Sequence, residues 1–326
     1  MKKARKQARN SLYFDRSQLR LLPLVQRKHD LDISQIRDLT PAAVRHPALK
    51  KVAARILDAR KRGRSVILMM GAHVLKSGVQ RYLIDLMERG YLSCVAMNGA
   101  GLIHDYELAL IGATTESVAR YISEGQFGLW KETGRLNDLA VQAARSEMGL
   151  GEAAGCYIEK QGLPFKQVSV LAAGYRLGVP VTIHVGLGYD IVHEHPNCDG
   201  AAWGAASYRD FLRFAKIMEK LEGGVVMNFG SAVMAPEVYL KALAMVRNVA
   251  RQKKQRIAAF TTLVCDLAQL PPRAKKEPPR SSAAYYFRPL KTMLIRTIAD
   301  GGEGYYVMAN HADSIPQLWT AINAKE

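Results

Sequence analysis

Apolar runs and small-residue turns between positions 65 and 105 follow the pattern of a βαβ unit. Ser65–Met70 and Leu92–Met97 are short apolar runs typical of buried strands, and Ser77–Glu88 between them has apolar residues at helical spacing. Two strands joined by a crossover helix lie parallel in one sheet, and such sheets bind ligands at the carboxyl ends of their strands. We therefore expect a ligand site at Gly71–Ser77 and Asn98–Asp105.

The same succession of elements continues to the end of the chain. Apolar or β-branched runs predict further strands at Pro180–His184, Gly224–Asn228, Ile257–Leu263, Thr292–Thr297 and Tyr305–Met308. Helical spacing predicts helices at Thr115–Ser123, Gly155–Gln161, Ser169–Leu177, Tyr208–Leu221, Pro236–Val249 and Ser314–Ala324. This order of elements predicts an α/β fold, a Rossmann-like parallel sheet of five or six strands with helices on both faces.

The chain is predicted to have two parts. Residues 1–60 form a basic, largely helical N-terminal extension, with helices expected over Ile33–Leu39 and Ala42–Arg60. Residues 61–326 form the Rossmann-like nucleotide-binding domain. Within this domain, the glycine-flanked aromatic segment Glu124–Trp130 is interpreted as a flap.

Four glycine-containing turns follow predicted strands, so all four are expected at the same edge of the sheet. Glycine lets the backbone approach a pyrophosphate closely, and helix N-termini at that edge offer amide donors. The alternative is that these are tight turns in which glycine only supplies a positive φ. The candidate cofactor-binding residues are Gly71, His73, Ser77, Asn98, Gly99, Gly101, Asp105, Gly188, Gly230, Ser231 and Asp313.

The formal net charge of +17 is unusual for a metabolic enzyme. Basic residues concentrate in four clusters, Lys2–Arg9, Arg60–Arg64, Arg251–Arg256 and Arg273–Arg280. Such an excess favours association with polyanions or phosphate-bearing ligands, although a solvated basic surface is the simpler explanation. Aromatic residues do not interleave with the clusters as they do in single-strand binding surfaces. The charge alone therefore does not indicate a nucleic-acid-binding protein.

The composition, 48% hydrophobic and 23% charged, is that of an ordinary globular protein, and no apolar run is long enough to span a membrane. The basic N-terminus lacks the apolar segment of a secretory signal. The four cysteines form no CxxC pair, which favours reduced thiols and no zinc site. We therefore expect a cytoplasmic protein without a membrane partner.

Three segments resemble deoxyhypusine synthases in their order and spacing, namely Gly71–Val79, Asn98–Asp105 and Val179–Pro196. Val225–Val233 and Gly304–Trp319 fit the same family more loosely, so the resemblance covers the chain from about position 60 to its end. The resemblance implies a Rossmann-like parallel sheet and NAD as the cofactor. It also implies a homo-oligomer, a tetramer or a dimer, with sites shared between subunits.

The sequence departs from that family where the family's chemistry lies. The imine-forming lysine of the family corresponds to Ala321, and its Lys-His-His segment corresponds to Met234–Pro236. His104 stands where the resemblance implies an acidic contact with spermidine, whereas Asp190 matches the family's aspartate. An imine mechanism needs a primary amine whose pKa its site lowers. We therefore do not expect deoxyhypusine synthase activity from this scaffold.

Histidines and carboxylates that follow the predicted strands supply the remaining candidate chemistry. His104 is the preferred general base, supported by Asp190, and His184 is the third candidate catalytic residue, because histidine moves protons near neutral pH. The segment His193–His195 has a His-x-His pattern, but the proline after it indicates a loop, in which the two side chains need not share a face. No metal site is therefore expected.

Two functions remain open. The first is an NAD-binding enzyme, a transferase or an oxidoreductase, that acts on a small polar metabolite. It predicts weaker NAD binding when Gly101 or Asp190 is substituted. The second is a non-catalytic binding protein of the same fold with a basic, nucleic-acid-binding surface, whose binding must weaken steeply as salt rises. We favour the first of these functions.

Overall fold

A computed structural model describes residues 12–270 and 276–324 of the chain. The basic cluster Lys2–Arg9 and positions 273–275 of the last cluster lie outside the described residues. The central sheet consists of β2 (Val66–Met70), β3 (Cys94–Asn98), β5 (Val181–His184), β6 (Val225–Phe229), β7 (Thr261–Asp266) and β8 (Glu303–Met308). A separate antiparallel pair consists of β1 (Leu31–Asp32) and β4 (Ala113–Thr114).

The six strands of the central sheet are all parallel and lie in the order β5-β3-β2-β6-β7-β8. Counted among themselves, they follow the order 3-2-1-4-5-6, which is that of dinucleotide-binding Rossmann folds. The order reverses between β2 and β6, which pair from Val66 opposite Val225 to Met70 opposite Phe229. The predicted fold class, a Rossmann-like parallel sheet, is therefore confirmed.

Helices connect the strands and cover both faces of the sheet. They are α1 (Pro47–Lys61), α2 (His73–Lys76), α3 (Gln80–Glu88), α4 (Gly99–Ile111), α5 (Val118–Ser123), α6 (Arg135–Arg145), α7 (Leu150–Lys160), α8 (Val170–Leu177), α9 (Gly200–Met218), α10 (Met234–Gln252), α11 (Ala283–Tyr286), α12 (Arg288–Lys291) and α13 (His311–Asn323). Within the two described ranges, none of the helices has both the length and the apolar character that crossing a membrane requires.

The strands β2, β3, β6 and β7 each contribute to two cores, because successive side chains of a strand point to opposite faces of the sheet. In β2, Leu68 and Met70 pack with residues of α1, α3, α4 and α13, whereas Ile67 and Met69 pack with residues of α9 and α10. All five residues of β2 are buried. Burial on both faces explains why the sequence shows a continuous apolar run here and not an alternating one.

Two of the predicted strands are wrong in type or position. Thr292–Thr297 is not a strand, because its residues form a π-helical turn over Thr292–Arg296. Thr297 Oγ1 donates a hydrogen bond to the Thr292 carbonyl (2.8 Å) and accepts one from the Tyr239 hydroxyl (2.9 Å), and these bonds hold the turn closed. The strand expected from Ile257 begins only at Thr261 and ends at Asp266.

The segment before α1 contains much less helix than expected. Residues 12–46 contain three short 3₁₀ turns, Arg16–Gln18, Leu24–Gln26 and Ile33–Gln35. The helix expected from Ala42 begins at Pro47, where the fixed φ of proline suits the first helical position. Predicting a helix over Ile33–Leu39 was therefore wrong beyond its first turn.

The aromatic segment Glu124–Trp130, interpreted above as a flap, packs against the body of the protein. The Trp130 side chain is buried, its Nε1 donates to Glu116 Oε2 (2.8 Å), and its ring meets Tyr121 edge to face at 5.1 Å. Leu24 from the N-terminal segment completes this small apolar cluster. The segment is thus tied to both the N-terminal region and the residues that follow β4.

Candidate functional site

The main cavity lies at the carboxyl ends of the strands, where the strand order reverses, and has a volume of about 670 Å³. Gly71 follows β2 and Gly230 follows β6, and a Cβ built on Gly71 would collide with the Gly230 carbonyl oxygen. Position 71 therefore needs glycine because the backbones of the two turns touch, whereas Gly230 has a φ of +64° and an added Cβ there would collide with the His311 ring. The cavity is lined by one glycine from each of the four predicted turns, Gly71, Gly99, Gly186 and Gly230.

Helix α4 begins in the wall of the main cavity. Asn98 caps it, because its Oδ1 accepts a hydrogen bond from the Gly101 amide (3.0 Å). The first-turn amides give this end of the helix a positive potential. The Asp190 carboxyl lies against Gly99, leaving no room there for a side chain. Burial raises the pKa of Asp190 to about 6, so this group exchanges its proton near neutral pH.

His104 lies one turn further along α4, and its Nδ1 is 2.8 Å from Thr114 Oγ1. The same Thr114 oxygen donates to Glu107 Oε2 (2.7 Å). Glu107 is buried and pairs with the buried Arg27 through two hydrogen bonds of 2.9 and 2.6 Å. Burial lowers the pKa of His104 to about 4, so its imidazole is neutral at neutral pH and is a weaker proton acceptor than an ordinary histidine.

A side chamber of about 260 Å³ adjoins the main cavity. The two spaces share the lining residues Lys76, Ala100, His104, Tyr189 and Asp190. The chamber is also lined by apolar side chains, among them Ile103, Val118, Phe127 and Ile191, and by the carboxyl group of Glu116. An imidazole, an ammonium group and a carboxyl group thus stand where a larger and a smaller space meet.

The site residues predicted from the sequence fall into two groups. Those that line the main cavity are Gly71, His73, Asn98, Gly99, His104, His184, Asp190, Gly230 and Ser231. Those that do not line it are Ser77, Gly101, Asp105, Gly188 and Asp313. Gly101 packs on Met97. Asp105 is fully buried and accepts hydrogen bonds from Ser169 Oγ (2.5 Å) and the Val170 amide (2.8 Å) at the start of α8.

His184 ends β5 and is buried against the main cavity. Its Nε2 lies 3.0 Å from Thr182 Oγ1, and its ring meets Phe214 edge to face at 5.6 Å. Burial lowers the pKa of His184 to about 3. This histidine is therefore neutral at neutral pH, and its Nε2 is hydrogen-bonded to the Thr182 hydroxyl.

The histidines of the His193–His195 segment make hydrogen bonds within the protein. His193 Nδ1 accepts from the amides of Gly188 and Asp190, both at 3.2 Å. His195 Nε2 lies 2.8 Å from the Gly128 carbonyl, to which it donates. In the part of the chain that the structure describes, no three His, Cys, Asp or Glu side chains are grouped as a metal site would need.

Five charged residues at these cavities were not predicted as site residues from the sequence, namely Arg27, Lys76, Glu107, Glu116 and Glu237. Lys76 lies inside the predicted ligand segment Gly71–Ser77, so its position there could have indicated a site residue. Arg27 pairs with a residue 80 positions away. No local pattern around position 27 indicates that contact.

No family model matches the chain, and neither does any curated protein. Solved structures do match it. AgrE without ligand has a TM-score of 0.53 and 14% identity, with 89% of this chain and 35% of that chain covered. AgrE in a ternary complex with ornithine and NAD⁺ has a TM-score of 0.51 and 14% identity, with 85% and 33% covered. This chain therefore spans about a third of the length of AgrE.

A conserved protein of Methanococcus maripaludis S2, provisionally assigned to the LOR/SDH class, has a TM-score of 0.51 and 15% identity, with 88% of this chain and 73% of that chain covered. A provisionally named deoxyhypusine synthase from Entamoeba histolytica has a TM-score of 0.45 and 10% identity, with 85% and 87% covered. At 14% to 15% identity, the AgrE and Methanococcus maripaludis structures show similarity of fold alone.

Proposed function

We propose that this chain is an NAD-binding enzyme that acts on a small polar metabolite and is not a deoxyhypusine synthase. The observation that carries the proposal is the glycine-lined cavity at the reversal point of a 3-2-1-4-5-6 sheet, with His104 and Asp190 at its junction with the side chamber. Sheets with this order bind dinucleotides at the reversal point. AgrE, which has a similar fold, was crystallised with ornithine and NAD⁺.

The residues of the main cavity fit a dinucleotide. Backbone at Gly71–Ala72, Gly99–Ala100 and Gly230–Ser231 would hold it, because glycine permits close approach of a pyrophosphate. The N-terminus of α4 would add amide donors and a favourable dipole. The volume of about 670 Å³ lies in the range of ordinary small-molecule pockets.

NAD supplies a hydride acceptor or donor, and the residues of this chain supply the proton transfers and the positioning. Neutral His104 can take a proton from a hydroxyl or amino group, and Asp190 can hold or release one near neutral pH. The side chamber would take the substrate. Lys76 offers a positive charge to an anionic group, and apolar side chains such as Ile103 would contact the carbon skeleton.

Isothermal titration with NAD⁺ tests this proposal. The wild-type protein is expected to show saturable binding. Ala100 lines both spaces in the first turn of α4, so Ala100→Phe is expected to weaken binding at least tenfold by filling their junction. Ala201, exposed in the first turn of α9, provides the matched control, and Ala201→Phe should bind as the wild type does.

Absence of NAD⁺ binding by the wild-type protein would overturn the proposal. If Ala100→Phe and Ala201→Phe both bound NAD⁺ with wild-type affinity, the nucleotide would lie away from this cavity, and the proposal would also be contradicted. A homo-oligomer and a cytoplasmic location stay predictions, which native mass spectrometry and cell fractionation check.

A second candidate function, binding of nucleic acid, is favoured by the arrangement of charge at the other edge of the sheet. Helix α1 ends at Lys61 before β2, and α10 ends at Gln252 before β7, so the exposed clusters Arg60–Arg64 and Arg251–Arg256 lie at the amino ends of the strands. A cavity of about 280 Å³ there is lined by Arg55, Arg62 and Arg64, and also by the carboxyl groups of Glu222 and Glu303, of which Glu303 pairs with Arg55. Binding of oligonucleotides that falls steeply with salt would support this function, whereas absent or salt-insensitive binding would exclude it.

A further inference from the structure

We propose that a hydrogen-bond chain behind His104 fixes its proton on Nδ1, so that Nε2 faces the cavity as a proton acceptor. The chain consists of Thr114, Glu107 and Arg27, which act as positioning residues. This inference rests on the function proposed above for the site, and it assigns a role there to a residue of the N-terminal segment.

The Glu107 carboxyl group accepts every hydrogen bond that reaches it. Its Oε2 accepts from Thr114 (2.7 Å) and Arg27 (2.6 Å), and its Oε1 accepts from Arg27 (2.9 Å) and Thr133 (2.7 Å). Burial acts to raise the pKa of Glu107, but the Arg27 ion pair and these hydrogen bonds hold the pKa below its ordinary value. The group is therefore an ionised carboxylate, which has no proton to donate.

The position of the histidine proton follows from this carboxylate. A threonine hydroxyl has one hydrogen, and Thr114 gives it to Glu107. The 2.8 Å contact between Thr114 Oγ1 and His104 Nδ1 must then be a hydrogen bond in which the imidazole donates. A neutral imidazole carries one N–H, so Nε2 of His104 keeps its lone pair.

The fixed tautomer matters for catalysis because His104 lines both the main cavity and the side chamber. Its Nδ1 is engaged by the hydrogen bond to Thr114, which leaves Nε2 as the nitrogen available to a ligand. An imidazole without this hydrogen bond would exchange between tautomers, and in one of them Nε2 would present a proton and not a lone pair. The chain therefore keeps the side of the ring that a substrate can reach ready to accept a proton.

The test uses nitrogen-15 NMR of the full-length protein labelled at its eight histidines, with the His104 signals assigned from their loss in His104→Gln. Two-bond proton–nitrogen correlations distinguish the two neutral tautomers. The wild type and the conservative variant Thr114→Ser are expected to show His104 with the proton on Nδ1. Thr114→Val, which removes the acceptor, is expected to show a mixture or the Nε2–H form.

Thr133→Val provides the matched control, because it also removes one hydrogen bond to Glu107 but none to His104. It should leave the His104 tautomer unchanged. An Nε2–H form in the wild type, or the same tautomer in Thr114→Val and Thr133→Val, would overturn the inference. The NMR measurement requires no cofactor. Failure of NAD⁺ binding would therefore contradict the proposed function without changing the test of the tautomer.

Discussion

Among single residues, Asp210 of α9 is a carboxyl group buried between helices and the sheet. Its Oδ2 accepts hydrogen bonds from the amides of Gly151 (3.1 Å) and Ile183 (2.9 Å), and its Oδ1 has no hydrogen-bond partner among the described residues. Burial raises the pKa of Asp210 to about 7. The protonated form is therefore the one that the fold favours.

Asp210→Asn should change the pH dependence of stability. The pKa of Asp210 is higher in the folded protein than in the unfolded chain. Protonated Asp210 therefore stabilises the fold fully below about pH 4, and this contribution is lost as the pH rises to about 7. Asparagine can still accept from both amides but does not ionise. The stability of Asp210→Asn relative to the wild type should therefore rise by roughly 2.5 kcal/mol between pH 5 and pH 8. Urea unfolding at the two pH values checks this, and an equal difference at both would contradict it.

At the level of secondary structure, close packing of α7 on α8 depends on a glycine. A Cβ built on Gly155 would collide with the Leu171 carbonyl oxygen and come within 3.0 Å of Tyr175 Cβ. Gly204 in α9 is the opposite case, since it is exposed and no atom lies within 4 Å of its added Cβ. The same substitution should therefore have opposite effects at the two positions.

Gly155→Ala is expected to destabilise the protein by roughly 1 to 3 kcal/mol, because neither a helix carbonyl nor a Cβ atom moves freely. Gly204→Ala is expected to stabilise it by about 0.5 to 1 kcal/mol through the higher helix propensity of alanine. Chemical denaturation of both variants beside the wild type measures the two differences. A stabilising effect at both positions would show that packing between α7 and α8 does not limit residue 155.

The elements that the sequence predicts well are those whose pattern is local. Strand β2 is buried on both faces, so its continuous apolar run indicates a strand of a parallel sheet, and the glycines that follow such strands indicate the edge where the cavity lies. Thr292–Thr297 has a similar composition, but it folds as a π-helical turn because contacts with α10 decide its conformation. Local composition does not encode those contacts.

The same limit applies to the candidate site. His104 can be predicted because it follows a predicted strand and a glycine turn. The Glu107 carboxylate that orders it through Thr114 is held by Arg27, which is 80 positions away in the sequence. Asp105 was assigned to cofactor binding from its neighbourhood, yet it caps α8 in the interior. Adjacency in sequence identifies the edge of the sheet, but the direction of each side chain depends on the packed structure.

For the molecule as a whole, the two candidate binding regions lie at opposite edges of one sheet. The five residues of β2 separate the cluster Arg60–Arg64 from the cavity turn at Gly71 by roughly 16 Å of strand. That length exceeds the screening length of about 8 Å at physiological ionic strength. Charge changes at the amino ends of the strands should therefore have little effect on a ligand at their carboxyl ends.

Reversing the charge of two exposed lysines tests this separation. Lys253→Glu with Lys254→Glu is expected to weaken oligonucleotide binding at least tenfold and to reduce its salt dependence, while NAD⁺ affinity stays within about twofold of the wild type. Lys28→Glu with Lys131→Glu makes the same change in net charge outside both clusters and should leave most oligonucleotide binding intact. Equal losses in the two double variants would mean that the total charge of +17 attracts the polyanion and that no particular face does.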